Sequence, residues 1–243
     1  MPRLAATLIC ALSLLAPASP AAHADDAGGD WHLSLDAGTD FPASLGLRAS
    51  LEGPLRLRAT LGVGYLPGGY VDVINAFEQE IGSYDQATAD FIRQTIGDSI
   101  VVRATLGWRP FRKEGFYFEL GYTFGGLGGG VTTQELVEAA TGLALSDGAS
   151  SSERTFDAAA SLHLFVGEIG WEWLFLDDHL VLRASLGFLF TLGADSNVEA
   201  QFQPRFPNAV HQFEAASEAY IVDTFTSYVH APAVNVQVGY RFF

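Results

Sequence analysis

The residues best suited to chemistry in this chain are its arginines and carboxylates. Arg48, Arg58, Arg103 and Arg183 each open a near-identical tetrad, Arg-Ala-Ser/Thr-Leu, with Arg56 and Arg109 close by. Asp36, Glu52, Glu119, Glu168 and Glu172 fall on the same kind of polar face. Guanidinium and carboxylate groups held at one depth form strong, often bidentate, charge-assisted hydrogen bonds. Arg48, Arg58, Arg103, Arg183, Glu119, Glu168 and Glu172 are therefore expected to form an ion-pair network, or else to line a gate for a small solute. A second candidate is Ser161-x-His163 with Glu172 or Asp157. These are the residue types of a hydrolytic triad: hydroxyl nucleophile, imidazole base and orienting carboxylate. Ser-x-His is a short motif, and its phase sets both residues on the inward polar face. An inward polar pair is expected, and no catalytic residue is assigned. Asp195-Ser-Asn197-Val-Glu199 has a faint calcium-loop rhythm but lacks the full spacing and glycine. A solvated loop is expected there, with no metal and no cofactor.

The elements that must position these residues show a period of two, which marks strands with unlike faces. Eight such runs occur, at 31–38, 45–52, 55–65, 100–109, 116–124, 160–173, 180–191 and 234–242. In the fourth, Ile100, Val102, Ala104, Leu106 and Trp108 alternate with Arg103, Thr105, Gly107 and Arg109. The sixth is irregular: Ala160, Leu162, Leu164 and Val166 have one parity, Ile169, Trp171 and Trp173 the other. A bulge at Gly167-Glu168 would bring both sets to one face. Gly53-Pro54, Arg112 to Gly115 and Asp177-Asp178 read as tight turns. A modest loop at 39–43 and long loops at 67–98, 129–154 and 195–230 alternate with them. Helical spacing appears inside the long loops, at Val73, Ile74, Phe77, Ile81, Tyr84, Phe91, Ile92 and Ile96. Thr132-x-x-Glu135 reads as a capping box, and Asn208 as the start of a further helix. Their apolar stripes suit a cap over the barrel mouth or a face for a partner.

Composition agrees with export. Arg3, the apolar run Leu4 to Ala16 and the small-residue site Ala22-His23-Ala24 have the form of a signal peptide. The expected division is a signal peptide at 1–24 and one barrel domain at 25–243. Cys10 falls in the leader, so disulfide and thiol chemistry are excluded from the mature chain. The formal charge is −15, or −16 once Arg3 leaves, and Lys113 is the single lysine. That balance excludes a nucleic-acid partner, which needs a basic stripe. Hydrophobic residues make up 49% of the sequence, yet no later stretch is long enough for a membrane helix.

Three features direct the apolar face outward, toward lipid. The runs have the length of a tilted membrane strand. Trp31, Trp108, Trp171, Trp173 and Tyr240 gather at one end of the apolar faces, with Tyr65 and Tyr122 toward the other, like two aromatic girdles. The polar face is rich in Gly, Ser and Thr, which leave room for large charged groups in a narrow lumen. The reading is an all-β, eight-stranded antiparallel transmembrane β-barrel with long, partly helical external loops.

In this pattern, and in the ending Val234-Asn-Val-Gln-Val238-Gly-Tyr240-Arg-Phe242-Phe243, the chain resembles the eight-stranded outer-membrane barrels, OmpA- and OmpX-like in the broad sense. The resemblance implies a cell outer-membrane location and contact with outer-membrane lipid and lipopolysaccharide. It also implies that Val238, Tyr240, Phe242 and Phe243 present the final strand to the barrel-assembly machinery. Phe243 is an extra residue against that pattern, out of phase with Tyr240 and Phe242. The expected function is non-enzymatic, structural or surface-interactive, with a lumen plugged by ion pairs. A narrow or lateral channel for small, hydrophobic solutes is the alternative, and a lipid A-modifying enzyme the third.

Overall fold

The structure, a computed structural model, describes residues 31–243 apart from 83–85, 96–98, 112–113 and 146–153. The leader, Tyr84, Ile96 and part of the turn at Arg112 lie outside the described residues, as do the side chains of Phe77, Ile81 and Phe91.

Eight strands form a closed ring: β1 (His32–Phe41), β2 (Ser44–Glu52), β3 (Leu57–Tyr65), β4 (Ile100–Trp108), β5 (Phe116–Thr133), β6 (Thr155–Phe175), β7 (Leu180–Ala200) and β8 (His230–Arg241). Every neighbouring pair is antiparallel, and β8 returns to β1 with Ser34 opposite Arg241 and Phe41 opposite Val234. Closure pairs the backbone groups that an open sheet edge would leave exposed to hydrocarbon. Among the described residues, four helices sit in the connections at one end: α1 (Gly68–Ile81), α2 (Gln86–Thr95), α3 (Gln134–Thr141) and α4 (Pro207–Tyr228). The opposite end carries short turns and the C-terminus, whose Phe243 carbonyl accepts a hydrogen bond from the Leu33 amide at 3.1 Å. No described helix is long and apolar enough to cross a membrane.

The alternation works as the period of two requires. On β4 the residues from Ile100 to Trp108 are exposed and buried by turns, with Leu106 and Ile100 outward and Arg103 and Thr105 inward. A nine-residue strand at the usual tilt of about 40° rises about 23 Å, close to the height of a membrane's apolar band. Outside, Leu61, Leu106, Ile169, Phe188 and Val238 are exposed over such a band. Trp31, Trp108, Phe111, Tyr240 and Phe242 are exposed at the turn end, Tyr65 and Tyr122 at the helical end.

Several local expectations are corrected. β6 has no bulge at Gly167-Glu168; its inward phase runs unbroken from Phe156 through Leu164 and Val166 to Glu168 and Glu172. The two parities seen in the sequence are two different faces. Ala160 to Val166 line an apolar interior, whereas Ile169, Trp171 and Trp173 meet lipid. The irregularities lie on the neighbours of β6: on β7, where His163 pairs with Gly193 and Leu164 with Thr191, so that Leu192 is the extra residue, and on β5, between Leu127 and Gly130. Residues 195–200, expected in a loop, are strand, and the faint calcium-loop segment is the outward-facing rim of β7. Thr132 belongs to β5 and does not cap α3, which starts two residues later at Gln134. The 39–43 loop shrinks to the two-residue connection Pro42-Ala43. Arg56 sits in the β2–β3 turn at φ 61° and donates to the Phe111 carbonyl at 2.6 Å, so it does not point into the lumen.

The interior has two halves. Toward the turns it is ionic. Toward the helices it is apolar, where Phe156, Leu162, Leu164, Val198, Phe213 and Phe225 belong to one buried cluster.

Candidate functional site in the barrel interior

Six carboxylates (Asp36, Asp40, Glu52, Glu119, Glu168 and Glu172) meet six guanidinium groups (Arg48, Arg58, Arg103, Arg109, Arg183 and Arg241) in the ionic half. The formal charges cancel. Each side chain arrives on the inward phase of its strand, Arg109 from the residue just past the end of β4. The register sets the depth, with Asp36 opposite Arg48, Glu52 opposite Arg58, Glu119 opposite Glu168, and Glu172 opposite Arg183.

Glu172 is the hub. Its side chain is 0% exposed, and four arginines converge on it. Arg58 Nη2 and Arg183 Nε donate to Oε2 at 2.6 and 2.7 Å, while Arg109 Nη1 and Arg241 Nη2 reach Oε1 at 2.9 and 3.0 Å. Arg183 also holds Asp36 and donates to Ser34 Oγ at 2.9 Å. Arg58 bridges onward to Glu52 at 2.9 Å and Glu119 at 3.4 Å, with its guanidinium over the Tyr117 ring at 5.1 Å. A second level centres on Glu168 and Asp40. Glu168 takes Arg48 at 3.2 Å, Arg103 at 3.5 Å and the Asn235 amide. Asp40 takes Arg48, and Gln237 Nε2 at 3.1 Å.

Small residues make room for this layer. A Cβ on Gly239 would overlap Asp36 Oδ1, and one on Gly107 would overlap Glu119 Cγ. Backbone carbonyls of the neighbouring strands, Leu35 O and Phe118 O, are also too close for a Cβ at these two places, where glycine weakens the strand itself.

All seven charged residues selected in the sequence lie in the network. Asp40 was missed because it was read as loop; its inward phase on β1 was the available signal. Arg241 has the polar parity of the last strand, a signal that points to the lumen. Asn235, Gln237 and Thr105 carry no charge and were inconspicuous.

Ser161 and His163 are corrected: they face outward, not into the lumen. His163 lies against Tyr122 and Phe124, with Nδ1 bonded to the Tyr122 hydroxyl and Nε2 3.2 Å from Asp195 Oδ2. Asp195 stands opposite Ser161 in the β6–β7 register. Both imidazole nitrogens are thus engaged by groups other than Ser161, and Asp157 and Glu172 are on β6 away from that ring. Glu172 points into the lumen, on the other side of the sheet. The sequence elements of a triad do not converge.

An apolar, aromatic-rimmed exterior around a buried, charge-balanced ionic layer is the reverse of a soluble barrel. The chain is an outer-membrane β-barrel. Closed antiparallel barrels with an even strand number, short turns at one end and long connections at the other have that location.

No protein-family model and no curated protein sequence matches the chain. Among solved structures it is similar to CarO2 of Acinetobacter baumannii, with a TM-score of 0.39 and 11% identity over 87% of this chain and 98% of that one. It is also similar to a major outer membrane protein from Thermus thermophilus, with a TM-score of 0.41 and 12% identity over 88% of this chain and 100% of that one. At these values neither likeness carries a residue role to this barrel, and its architecture rests on its own closed ring and apolar exterior.

Proposed function

We propose that this is a non-enzymatic outer-membrane barrel whose lumen is sealed by ion pairs, with a structural or surface-interaction role exerted through its helical outer end. The observation that supports this is the convergence of four arginines on Glu172. An ion entering the bore would have to displace groups already paired in a low-dielectric interior, where an unpaired charge costs several kcal/mol, of order 3–5. An eight-stranded barrel is also narrow enough for side chains to fill it across the ionic layer. In this reading Val238, Tyr240, Phe242 and Phe243, all exposed, offer the last strand to the assembly machinery. Lipid and lipopolysaccharide meet the aromatic belts.

The test is liposome swelling with the purified, refolded chain. Glycine and small sugars should enter no faster than into empty liposomes, whereas rapid swelling would favour the channel reading. A narrow or lateral channel for apolar solutes remains the second reading, favoured by the apolar outer half of the interior.

A further inference from the structure

On β6 the inward phase changes from Glu172 and Glu168 to Val166, Leu164 and Leu162 within a few residues. Above that change lies a cavity of about 130 Å³. Leu127, Leu162 and Leu164 form its wall, and Val71 of α1, Ile92 of α2 and Phe225 of α4 close it from the helical side. Packed interiors hold few voids larger than a water molecule, so a space of this size is unusual.

Three of its polar neighbours are turned to the protein. Asn75 Nδ2 donates to the Ala89 carbonyl at 2.9 Å, and Thr123 Oγ1 accepts from Arg103 Nε at 3.2 Å. His230 Nδ1 accepts from the Thr191 amide at 3.2 Å, and its ring stacks on Phe190 at 4.5 Å. The space therefore meets carbon on most sides. Glu78 is on the wall, and no Lys or Arg is found among the described lining residues, so an anion finds no partner. Apolar cavities of similar size, about 150 Å³, stay dry and accept benzene.

The outer rim is low on one side. β1 and β2 are joined only by Pro42-Ala43, which also line the cavity, whereas β5, β6 and β7 extend to Thr133, Thr155 and Ala200. α1 is set on that low rim by Tyr70, whose hydroxyl bonds Thr39 Oγ1 at 2.6 Å and whose ring meets Phe41 at 5.1 Å.

We propose that this chamber binds a small, neutral, apolar molecule of about the size of a single substituted benzene ring. The site itself stands independently of the sealed lumen.

The test uses the full chain in lipid nanodiscs, titrated with fluorobenzene and followed by fluorine NMR against empty nanodiscs of the same lipid. The expected result is one saturable site per chain. Gly125→Leu should weaken it at least tenfold, because a Cβ there meets only Leu162 Cβ at 3.8 Å and Leu127 Cδ2 at 4.0 Å, and a longer side chain fills the space. Leu106→Ala, on the lipid face, should leave it unchanged. Leu162→Ala should enlarge the site and admit 1-fluoronaphthalene, which gives a second reading if Gly125→Leu does not fold. Signals equal to those of empty nanodiscs overturn the site whatever the variants do. So does a folded Gly125→Leu chain with undiminished binding. Solute flux through the bore with binding intact would instead overturn only the sealed lumen.

Discussion

Glu172 carries more of the ionic layer than any other residue. Replacing it with leucine leaves Arg58, Arg109, Arg183 and Arg241 facing one another without their shared carboxylate. Breaking a buried pair from one side costs about 3–5 kcal/mol, so Glu172→Leu should lose about that much in urea unfolding from detergent or vesicles. A change under about 0.5 kcal/mol, the scale of a neutral surface substitution, would contradict the hub role. His163 makes the opposite prediction. Both its ring nitrogens are engaged by Tyr122 and Asp195 at the outer aromatic belt, which leaves neither for Ser161. Overexpression of the chain should leave the lipid A mass spectrum unchanged, and His163→Ala should leave it the same; a mass shift lost in that variant would restore the enzyme reading. The charged site was legible because a charge is tolerated on a membrane strand only on the lumen side, so the phase of Arg48, Arg103 or Glu119 identifies their destination. The orientation of His163 was not legible. Its neighbours Leu162 and Leu164 are apolar and were assigned to lipid, but they line an interior that is itself apolar above the ionic layer.

At the scale of the element, the strands were read correctly where one face met lipid and the other met charge. The reading failed where both conditions lapse. Beyond Leu192 the outward face of β7 is Asp195, Asn197 and Glu199, which is a strand exposed to water and so resembles a loop in composition. Extension of β5, β6 and β7 past the membrane was hidden for that reason. The glycines of the lumen face give a direct test of strand packing. Gly239→Val on β8 would place a methyl-bearing carbon where the Asp36 carboxylate stands, and overpacking of this kind costs about 1–3 kcal/mol. Urea midpoints should fall accordingly; an unchanged midpoint would show that Asp36 can move away from Arg183 without cost. The last strand supplies a second test. Tyr240 pairs with both Leu35 and Leu180, and Arg241 joins Ser34 to Glu172. Deleting Tyr240 to Phe243 should prevent formation of a heat-modifiable barrel in the outer membrane, and normal band-shifting material in that fraction would contradict it.

The whole molecule separates its charges by region. Six acids and six arginines cancel within the bore, so the chain's net negative charge of −15 belongs to the rest of the sequence. The membrane band is left uncharged and the interior balanced, which suits a stable plug better than a pore with a selective field. Above the plug, the helices bury their stripes on one another and on the high wall of β5 to β7, rather than on the bilayer. The central claim is that the ionic layer closes the bore. Single-molecule recording in planar bilayers tests it most directly: the unaltered chain should show no steady conductance above the bare membrane. Stable, stepwise current through inserted single barrels would contradict the account.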